Sequence, residues 1–220
     1  MAFIHAPIDL GYQSLKSITK PSGRTYETPE GNIYPSMTTV LSRPLKKKEK
    51  PKVSISKERA EKSKMILAFA CARGEIVHKL CEDYLNNLQD FEKGFPDFCL
   101  NSFHQIKEIL DERVGVIHGL ELPLYSDELK IAGRVDLVAE FDGVLSIIDF
   151  KTSKKEKSLS EAKKFFLQEA GYSLMLKERT GLEARQLVTI VACDCGSTQI
   201  FKESLDDWKG DLVEKIRLKS

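Results

Sequence analysis

The chain has 220 residues, 41% of them hydrophobic and 30% charged, and a formal net charge of +1. This length suffices for one buried core, and the composition excludes a disordered chain and favours a soluble globular enzyme. The net charge of the whole chain predicts no particular partner.

Positive charge is concentrated in two segments. Residues 43–64 contain ten Lys and Arg against three Glu, and residues 151–164 contain six Lys against two Glu. Because Lys and Arg neutralise phosphates and release counterions, two such segments on a neutral protein favour a local site for a polyanion. A solvated surface without a partner is the alternative that the charge count leaves open.

The cysteines and the N-terminal residues bear on the expected cellular compartment. Five cysteines are present, and their only close pair, Cys193-Asp194-Cys195, fits neither a disulfide framework nor a paired zinc site. No apolar run approaches the ~20 residues that span a bilayer, and the first residues lack the pattern of a secretory signal. We therefore expect reduced thiols, a cytoplasmic location and no membrane partner.

In chain order, the first predicted elements are short. The sequence RTYETPEGNIYPS predicts a hairpin that turns at residues 29–31, and Ser36 is expected to cap a short helix, MTTVL. Residues 46–56 are predicted to form a basic linker, with Pro51 inside it. We place hairpin, short helix and linker in a first segment, residues 1–56, and the main domain at residues 57–220.

Two helices are predicted next, at residues 57–88 and 98–114. Gly74 is expected either to interrupt or bend the first helix, or to let another backbone approach it closely. Apolar residues recur in this helix at steps of three and four, so one face would hold Val77, Leu80, Cys81, Tyr84 and Leu88.

The pattern then changes to strands, predicted at residues 119–125, 129–141 and 144–151 with turns at Ser126-Asp127 and Asp142-Gly143. A helix at 160–177, strands at 186–193 and 198–202, and a helix at 205–218 complete the chain. This order predicts an α+β fold of α/β/α type, whose mixed central sheet contains the hairpin 133–151 and is flanked by helices.

The hairpin 133–151 is predicted to carry the chemistry. Asp142-Gly143 favours a two-residue type I′ turn, and counting outward from it places Asp136 directly opposite Asp149, with Cβ atoms ~4.5–5.5 Å apart. Lys151 projects from the same face as Asp149. Apolar neighbours predict burial on both sides of the hairpin; they are Val135, Leu137, Val138, Ile147, Ile148 and Phe150.

Two opposed carboxylates destabilise a sheet, and in a buried setting they would either share a proton or bind a cation. Oxygen ligands of this kind suit Mg²⁺ or Mn²⁺. Lys151 would add a positive charge beside the position of a phosphate oxygen or an activated water. Two alternatives stay open: a plain ion pair of Lys151 with one aspartate, and a register slip of one residue.

These residues resemble the signature of the PD-(D/E)xK nuclease superfamily, with Asp136 in G-R-V-D and residues 149–151 in I-D-F-K-T. The chain is most similar to the RecB-like exonuclease branch, with the mitochondrial genome maintenance exonuclease and phage relatives. Three further segments resemble motifs of that branch across residues 24–200. They are Gly74 to His78 with Glu82 and Tyr84, the pair Gln168 and Tyr172, and Y-P-S-x-T at residues 34–39.

The resemblance implies a restriction-endonuclease-like core and metal-assisted hydrolysis of phosphodiester bonds. Lys151 would orient or activate the attacking water and stabilise charge on the phosphate, Gln168 would fix Lys151 or contact DNA, and Tyr172 would support this arrangement or the strand. The implied ligands of Mg²⁺ or Mn²⁺ are His78, Asp136, Asp149 and the carbonyl of Phe150.

If the motif context is set aside, His78 is interpreted as an ordinary helix histidine. Tyr172 is then interpreted as packing against Gln168, one helical turn away. Glu121 precedes the hairpin where relatives carry an acid, and we expect it to support the metal ligands from behind. Some relatives hold an iron–sulfur cluster with four cysteines, but Cys193-x-Cys195 lacks that spacing, so no cluster is predicted.

The leading hypothesis is a metal-dependent DNA exonuclease that acts on single-stranded ends in replication, recombination or repair, in a bacterial or phage-infected cell. A structure-specific endonuclease of the same fold is the first alternative. The second is a catalytically silent nucleic-acid-binding protein, which the intact set of Asp136, Asp149 and Lys151 disfavours.

Overall fold

The computed structural model of the protein describes residues 2–43 and 56–219. The predicted basic linker covers residues 46–56, and all of it except residue 56 lies outside the described residues. The strands are β1 (Lys16–Lys20), β2 (Gly23–Glu27), β3 (Ile33–Pro35), β4 (Val114–Ser126), β5 (Ile131–Phe141), β6 (Val144–Ser153), β7 (Gln186–Cys193) and β8 (Thr198–Ser204). The helices are α1 (Met37–Ser42), α2 (Lys57–Leu85), α3 (Asp97–Arg113), α4 (Leu159–Thr180) and α5 (Leu205–Arg217).

The main sheet has five strands in the order β4-β5-β6-β7-β8. Strands β6 and β7 are parallel and joined by α4, whereas the other neighbours are antiparallel. One face packs on α1, α4 and α5 around Met37, Ala170 and Leu212, and the other packs on α2 and α3 around Leu80 and Phe103. The predicted mixed sheet between layers of helices is therefore confirmed.

A smaller sheet, β1-β2-β3, precedes the main domain. The predicted hairpin is its β2–β3 pair, and Ser36 caps α1 by accepting a hydrogen bond of 3.1 Å from the Thr39 amide. Strand β1 was not predicted, because all five of its residues are exposed and show no apolar alternation. A β-bridge between Ser36 and Ala132 fixes this small sheet to β5.

Helix α2 corrects two predictions. It ends at Leu85, and Asn87 just beyond has a φ of 59°, which a right-handed helix cannot continue through. Leu88 is therefore exposed, and its assignment to the buried face was wrong. The helix runs uninterrupted through Gly74, where a Cβ atom would meet nothing within 4 Å, so the predicted close backbone approach was also wrong.

The β5–β6 hairpin follows the predicted register only in part. Asp142 and Gly143 both have positive φ, 53° and 75°, as a type I′ turn requires, and the ladder runs from Phe141–Val144 to Leu137–Ile148. It ends there, so the expected direct pair of Asp136 with Asp149 is not one of its rungs. Both faces of the hairpin are buried, as predicted.

The side-chain alternation of β5 breaks at Asp136. Val135 packs in the core on the α4 side, whereas Leu137, two residues further, packs in the core on the α2 side. A regular strand would send both to the same face. This irregularity is the physical reason why counting residues from the turn failed at Asp136.

The helices and the cysteines bear on the expectations about membranes and thiols. Within the described residues, none of the helices combines the length and apolar character that crossing a membrane requires. The five cysteines are free thiols, as expected, with Cys71 and Cys195 exposed and Cys81, Cys99 and Cys193 buried.

Candidate active site

An open cleft of about 770 Å³ gathers six of the seven predicted site residues. Its floor is the open end of the β5–β6 hairpin, one wall is α2, and the facing wall is the small N-terminal sheet. The lining residues from the main domain include His78, Glu121, Gly133, Arg134, Asp136, Asp149, Lys151, Gln168 and Tyr172. The N-terminal wall adds Ser17, Arg24, Tyr26, Ser36 and Thr38.

Asp136 is held by two donors from different elements. Its Oδ2 accepts a hydrogen bond of 2.9 Å from the Phe150 amide and lies 3.3 Å from His78 Nδ1 on α2. Burial raises the pKa of Asp136, but the neighbouring His78 outweighs burial, and the net shift is downward. Burial lowers the pKa of His78, but Asp136 outweighs it and raises the value to about 9. An ion pair therefore forms at this corner of the cleft.

Asp149 belongs to a second chain of contacts. It is 1% exposed, forms an ion pair with Lys151, and accepts a hydrogen bond of 3.1 Å from Gln168 Nε2. Burial raises the pKa of Asp149, with Lys151 opposing the shift. The two aspartates therefore have pKa values shifted in opposite directions, although both face the same cleft.

Gln168 also donates to the Tyr172 hydroxyl at 3.3 Å. Gln168 was expected to fix Lys151 or to contact DNA, and its hydrogen bond is to Asp149, the ion-pair partner of Lys151. The Tyr172 ring lies so close to β5 that a Cβ atom on Gly133 would stand 2.6 Å from its Cε1. Only glycine admits the ring at that position, which gives the G of G-R-V-D a packing role.

Glu121 lies closer to the metal-ligand candidates than expected. One ligand atom each from His78, Glu121 and Asp136 lie within 4.8 Å of one another. Burial and the neighbouring Asp136 raise the pKa of Glu121, and Arg134 lowers it across an ion pair of 3.3 Å. The sequence placed Glu121 behind the ligands and gave Arg134 no role, although Arg134 stands between the two recognised residues of G-R-V-D.

A second acid was missed altogether. Glu169 on α4 is fully buried, and its Oε1 accepts a short hydrogen bond from Thr189, the residue of β7 that pairs with Asp149. Burial and the neighbouring Asp149 raise the pKa of Glu169 well above its usual range. Nothing in the spacing of α4 distinguishes this position from the apolar residues around it.

The donor set fits a divalent metal. One imidazole nitrogen and carboxylate oxygens converge at the cleft, a combination that suits Mn²⁺ and, through its oxygens, Mg²⁺. Phe150 is the one predicted ligand that lies behind the cleft: its side chain packs in the core on the α2 side, and its amide supports Asp136. A role of its carbonyl as a metal ligand stays a prediction.

Comparison with known proteins agrees with this geometry. A model of the PD-(D/E)XK nuclease superfamily matches residues 91–214, more than half of the chain. The match includes Glu121, Asp136, Asp149, Lys151 and Gln168, whereas His78 and the N-terminal sheet precede it.

Three curated relatives are similar over shorter segments, and each is named mitochondrial genome maintenance exonuclease 1. The chain is 34% identical to the protein of Xenopus tropicalis over 86 residues, which are 39% of this chain and 24% of that protein. It is 32% identical to the Mus musculus protein over 139 residues, 58% and 39% of the two chains. Identity to the Homo sapiens protein is 26% over 132 residues, 57% and 38%. The matched segments thus span well under half of each relative.

Proposed function

The chain belongs to the PD-(D/E)XK nuclease superfamily, and from this premise we propose that it is a divalent-metal-dependent DNA exonuclease acting on single-stranded ends. The observation that carries the proposal is the convergence of His78, Asp136, Asp149 and Lys151 in one open cleft. These four side chains come from α2 and from the β5–β6 hairpin, which lie far apart in the sequence, and carboxylates gathered with little exposure to water need a proton or a cation beside them. The exonuclease names of the relatives support the same activity.

His78 and Asp136, with Asp149 beside them, would hold Mg²⁺ or Mn²⁺. When bound, such an ion polarises the phosphoryl group and lowers the pKa of its water. The remaining chemistry belongs to the protein. The His78 ring and the Phe150 amide fix the orientation of Asp136, and Gln168 fixes that of Asp149.

Lys151 acts as a cation in this scheme. Burial lowers its pKa, but Asp149 and Asp136 outweigh burial and raise it, so the amine keeps its proton at neutral pH. A protonated amine cannot take a proton from the attacking water. Lys151 would therefore stabilise the charge that develops on the phosphate oxygens as water adds to phosphorus and the bond to the departing nucleotide oxygen breaks.

The surface of α2 supports a single-stranded substrate. Four apolar side chains of its first half, Met65, Ile66, Leu67 and Phe69, are 60–73% exposed. The Phe69 ring lies 5.5 Å from that of Phe98. Unpaired bases stack on exposed aromatic rings, whereas bases in a duplex are already stacked on each other.

The exposed lysines on the other side of the site support a phosphate backbone. Lys154, Lys155, Lys163 and Lys164 are exposed and follow directly on Lys151 in the chain. Lys164 lines a small hollow that also includes Gln168 and Thr38, so this charge adjoins the cleft. A strand leaving the cleft in this direction would keep its phosphates near positive charge.

The proposal is tested by digestion of single-stranded oligonucleotides labelled at the 5′ or the 3′ end, with Mg²⁺, Mn²⁺ or EDTA. We expect stepwise shortening from one end, no reaction in EDTA, and an intact closed circular single strand. Lys151→Ala should lower the rate by about 10²–10³-fold. The matched control is Lys209→Ala on α5, an exposed lysine outside the cleft, which should keep the rate within about twofold.

Each alternative has its own outcome. Full metal-dependent activity of Lys151→Ala would show that the catalytic assignment is wrong. Cleavage of the circular strand would identify an endonuclease. Binding of the oligonucleotides without cleavage, at every divalent metal concentration, would identify a silent nucleic-acid-binding protein.

A further inference from the structure

Glu121 has an unusual backbone in the middle of β4. Its φ is +47°, a region that residues other than glycine seldom adopt. The pairing of β4 with β5 runs from Leu120–Leu137 to Leu122–Val135 and skips the pair between them, which is Glu121 with Asp136. Both strands thus become irregular at the point where the two acids face each other.

The distances at this point suit one shared ion. His78 Nδ1 and Asp136 Oδ2 are 3.3 Å apart, and an oxygen of Glu121 lies within 4.8 Å of both ligand atoms. An octahedral ion with bonds of about 2.1 Å holds neighbouring ligand atoms about 3 Å apart and opposite ones about 4.2 Å apart. The three side chains therefore reach one ion with shifts below about 2 Å.

Asp149 is engaged differently. Its oxygens contact Lys151 and Gln168, and it is not part of the group of three. Glu121, by contrast, forms an ion pair with Arg134 at 3.3 Å, and the Arg134 side chain is 49% exposed in the same cleft. An exposed guanidinium can release a carboxylate at small cost, because an ion pair open to water is weak.

We propose that Glu121 is an additional protein ligand of the divalent metal, beside His78, Asp136 and Asp149, and that Arg134 competes with the metal for its carboxylate. The inference rests on the proposed function, since it assumes that a divalent metal binds in this cleft. It assigns Glu121 to the metal itself, whereas the motifs predicted only a supporting position for it.

The test is Mn²⁺ binding to the full-length protein, measured by titration calorimetry and by the loss of the free Mn²⁺ electron paramagnetic resonance signal. Glu121→Gln should weaken binding at least tenfold, in the range found when groups around a metal are removed. The matched control is Glu75→Gln, which removes the same charge from the α2 wall of the cleft. It should change the affinity by less than about twofold, because an exposed charge is screened by solvent.

Arg134→Gln separates competition from support. If Arg134 competes with the metal, its removal tightens Mn²⁺ binding. If Arg134 instead holds Glu121 in a position required for structure, its removal weakens binding, and the inference is overturned. Glu121→Asn serves as the second variant, because Asn tolerates positive φ better than most residues while its shorter side chain reaches less far. It should also weaken binding at least tenfold in a protein that unfolds at the wild-type temperature.

The outcomes distinguish this inference from the proposed function. Unchanged affinity in both Glu121 variants, with binding lost in Asp136→Asn, would overturn the role of Glu121 and leave the metal-dependent nuclease standing. Absence of Mn²⁺ binding by the wild-type protein would overturn both.

Discussion

The two ends of the β5–β6 hairpin differ in kind. At the turn end, from Phe141–Val144 to Leu137–Ile148, pairing is regular and the fully buried side chains are apolar apart from Ser146. At the open end, the ladder stops, the alternation of β5 breaks at Asp136, and charged side chains turn into a cleft. The same two strands thus have a regular, apolar end and an irregular end that carries the candidate active site, and local rules fail at that candidate site.

This contrast predicts that substitutions at the two ends have different consequences. Changes at the turn end should lower the free energy of unfolding and leave the folded enzyme active. Changes at the open end should lower activity or metal affinity and have small effects on stability.

Phe141→Ala should have the largest effect on stability. Phe141 is fully buried, with the Arg113 guanidinium 4.7 Å from its ring centroid. We expect the free energy of unfolding, measured by urea titration, to fall by about 3–5 kcal/mol. The control is its pairing partner, Val144→Ala, which is 46% exposed and should cost less than about 0.5 kcal/mol. A loss of activity in the folded fraction of Phe141→Ala would contradict the division.

Asp136→Asn should have the opposite profile. The amide keeps an oxygen for the Phe150 amide, so we expect little change in the unfolding temperature above about pH 9, where the ion pair with His78 no longer contributes. It loses the charge that holds His78 and would bind the metal, so the Mn²⁺-dependent rate on labelled oligonucleotides should fall at least about 100-fold. An active Asp136→Asn, or one that is inactive only because it is unfolded, would argue against a chemical role for the open end.

The sequence predicted the regular parts well because they follow periodicity. The buried face of α2, the Ser36 cap, the type I′ turn and the strand after α4 all depend on spacing and turn chemistry. Strand β1 was missed because its exposed residues carry no apolar signal. Leu88 was misplaced because the end of α2 depends on the backbone of Asn87, which leaves no mark in the pattern.

The sequence predicted which residues share the cleft, but not the geometry of the candidate site. The motifs gave His78, Asp136, Asp149, Lys151, Gln168 and Tyr172. The break in side-chain alternation at Asp136 and the positive φ of Glu121 depend on tertiary contacts, so counting along a regular hairpin could not reveal them. The buried acid Glu169 was missed for the same reason, because only the folded chain shows that it faces Thr189.

The pH dependence of metal affinity examines the open end by itself. The pKa of His78 is raised to about 9 by Asp136, so its ring carries a proton at neutral pH that the metal must displace. Between pH 6.5 and 8.5, taken as roughly the range below this pKa, Mn²⁺ affinity should increase up to about tenfold per pH unit. Titration calorimetry in buffers of different ionisation enthalpy should show release of a proton on binding. Affinity independent of pH across this range would contradict the role of His78.

The same ion pair affects stability with the opposite sign. A histidine whose pKa is higher in the folded protein stabilises it below the unfolded value of about 6.5, and this contribution is lost as pH rises through about 9. With EDTA present, the unfolding temperature should therefore fall over that interval by more in the wild type than in His78→Gln. If the unfolding temperature fell equally with pH in the two proteins, protonation of His78 would not contribute to the stability of the fold.

Gly143→Ala should give the smallest effect and isolates the turn end. Gly143 has a φ of +75°, and a Cβ atom there would meet nothing within 4 Å, so the substitution costs backbone strain alone. We expect the free energy of unfolding to fall by about 1–2 kcal/mol, with the nuclease rate unchanged. The control is Gly210→Ala inside α5, where a Cβ atom also meets nothing and alanine should stabilise the helix by about 1 kcal/mol. If the free energy of unfolding falls in Gly143→Ala and rises in Gly210→Ala, the turn requires the left-handed conformation, because both positions have room for a Cβ atom. A lower nuclease rate in Gly143→Ala would mean that the two ends of the hairpin are coupled.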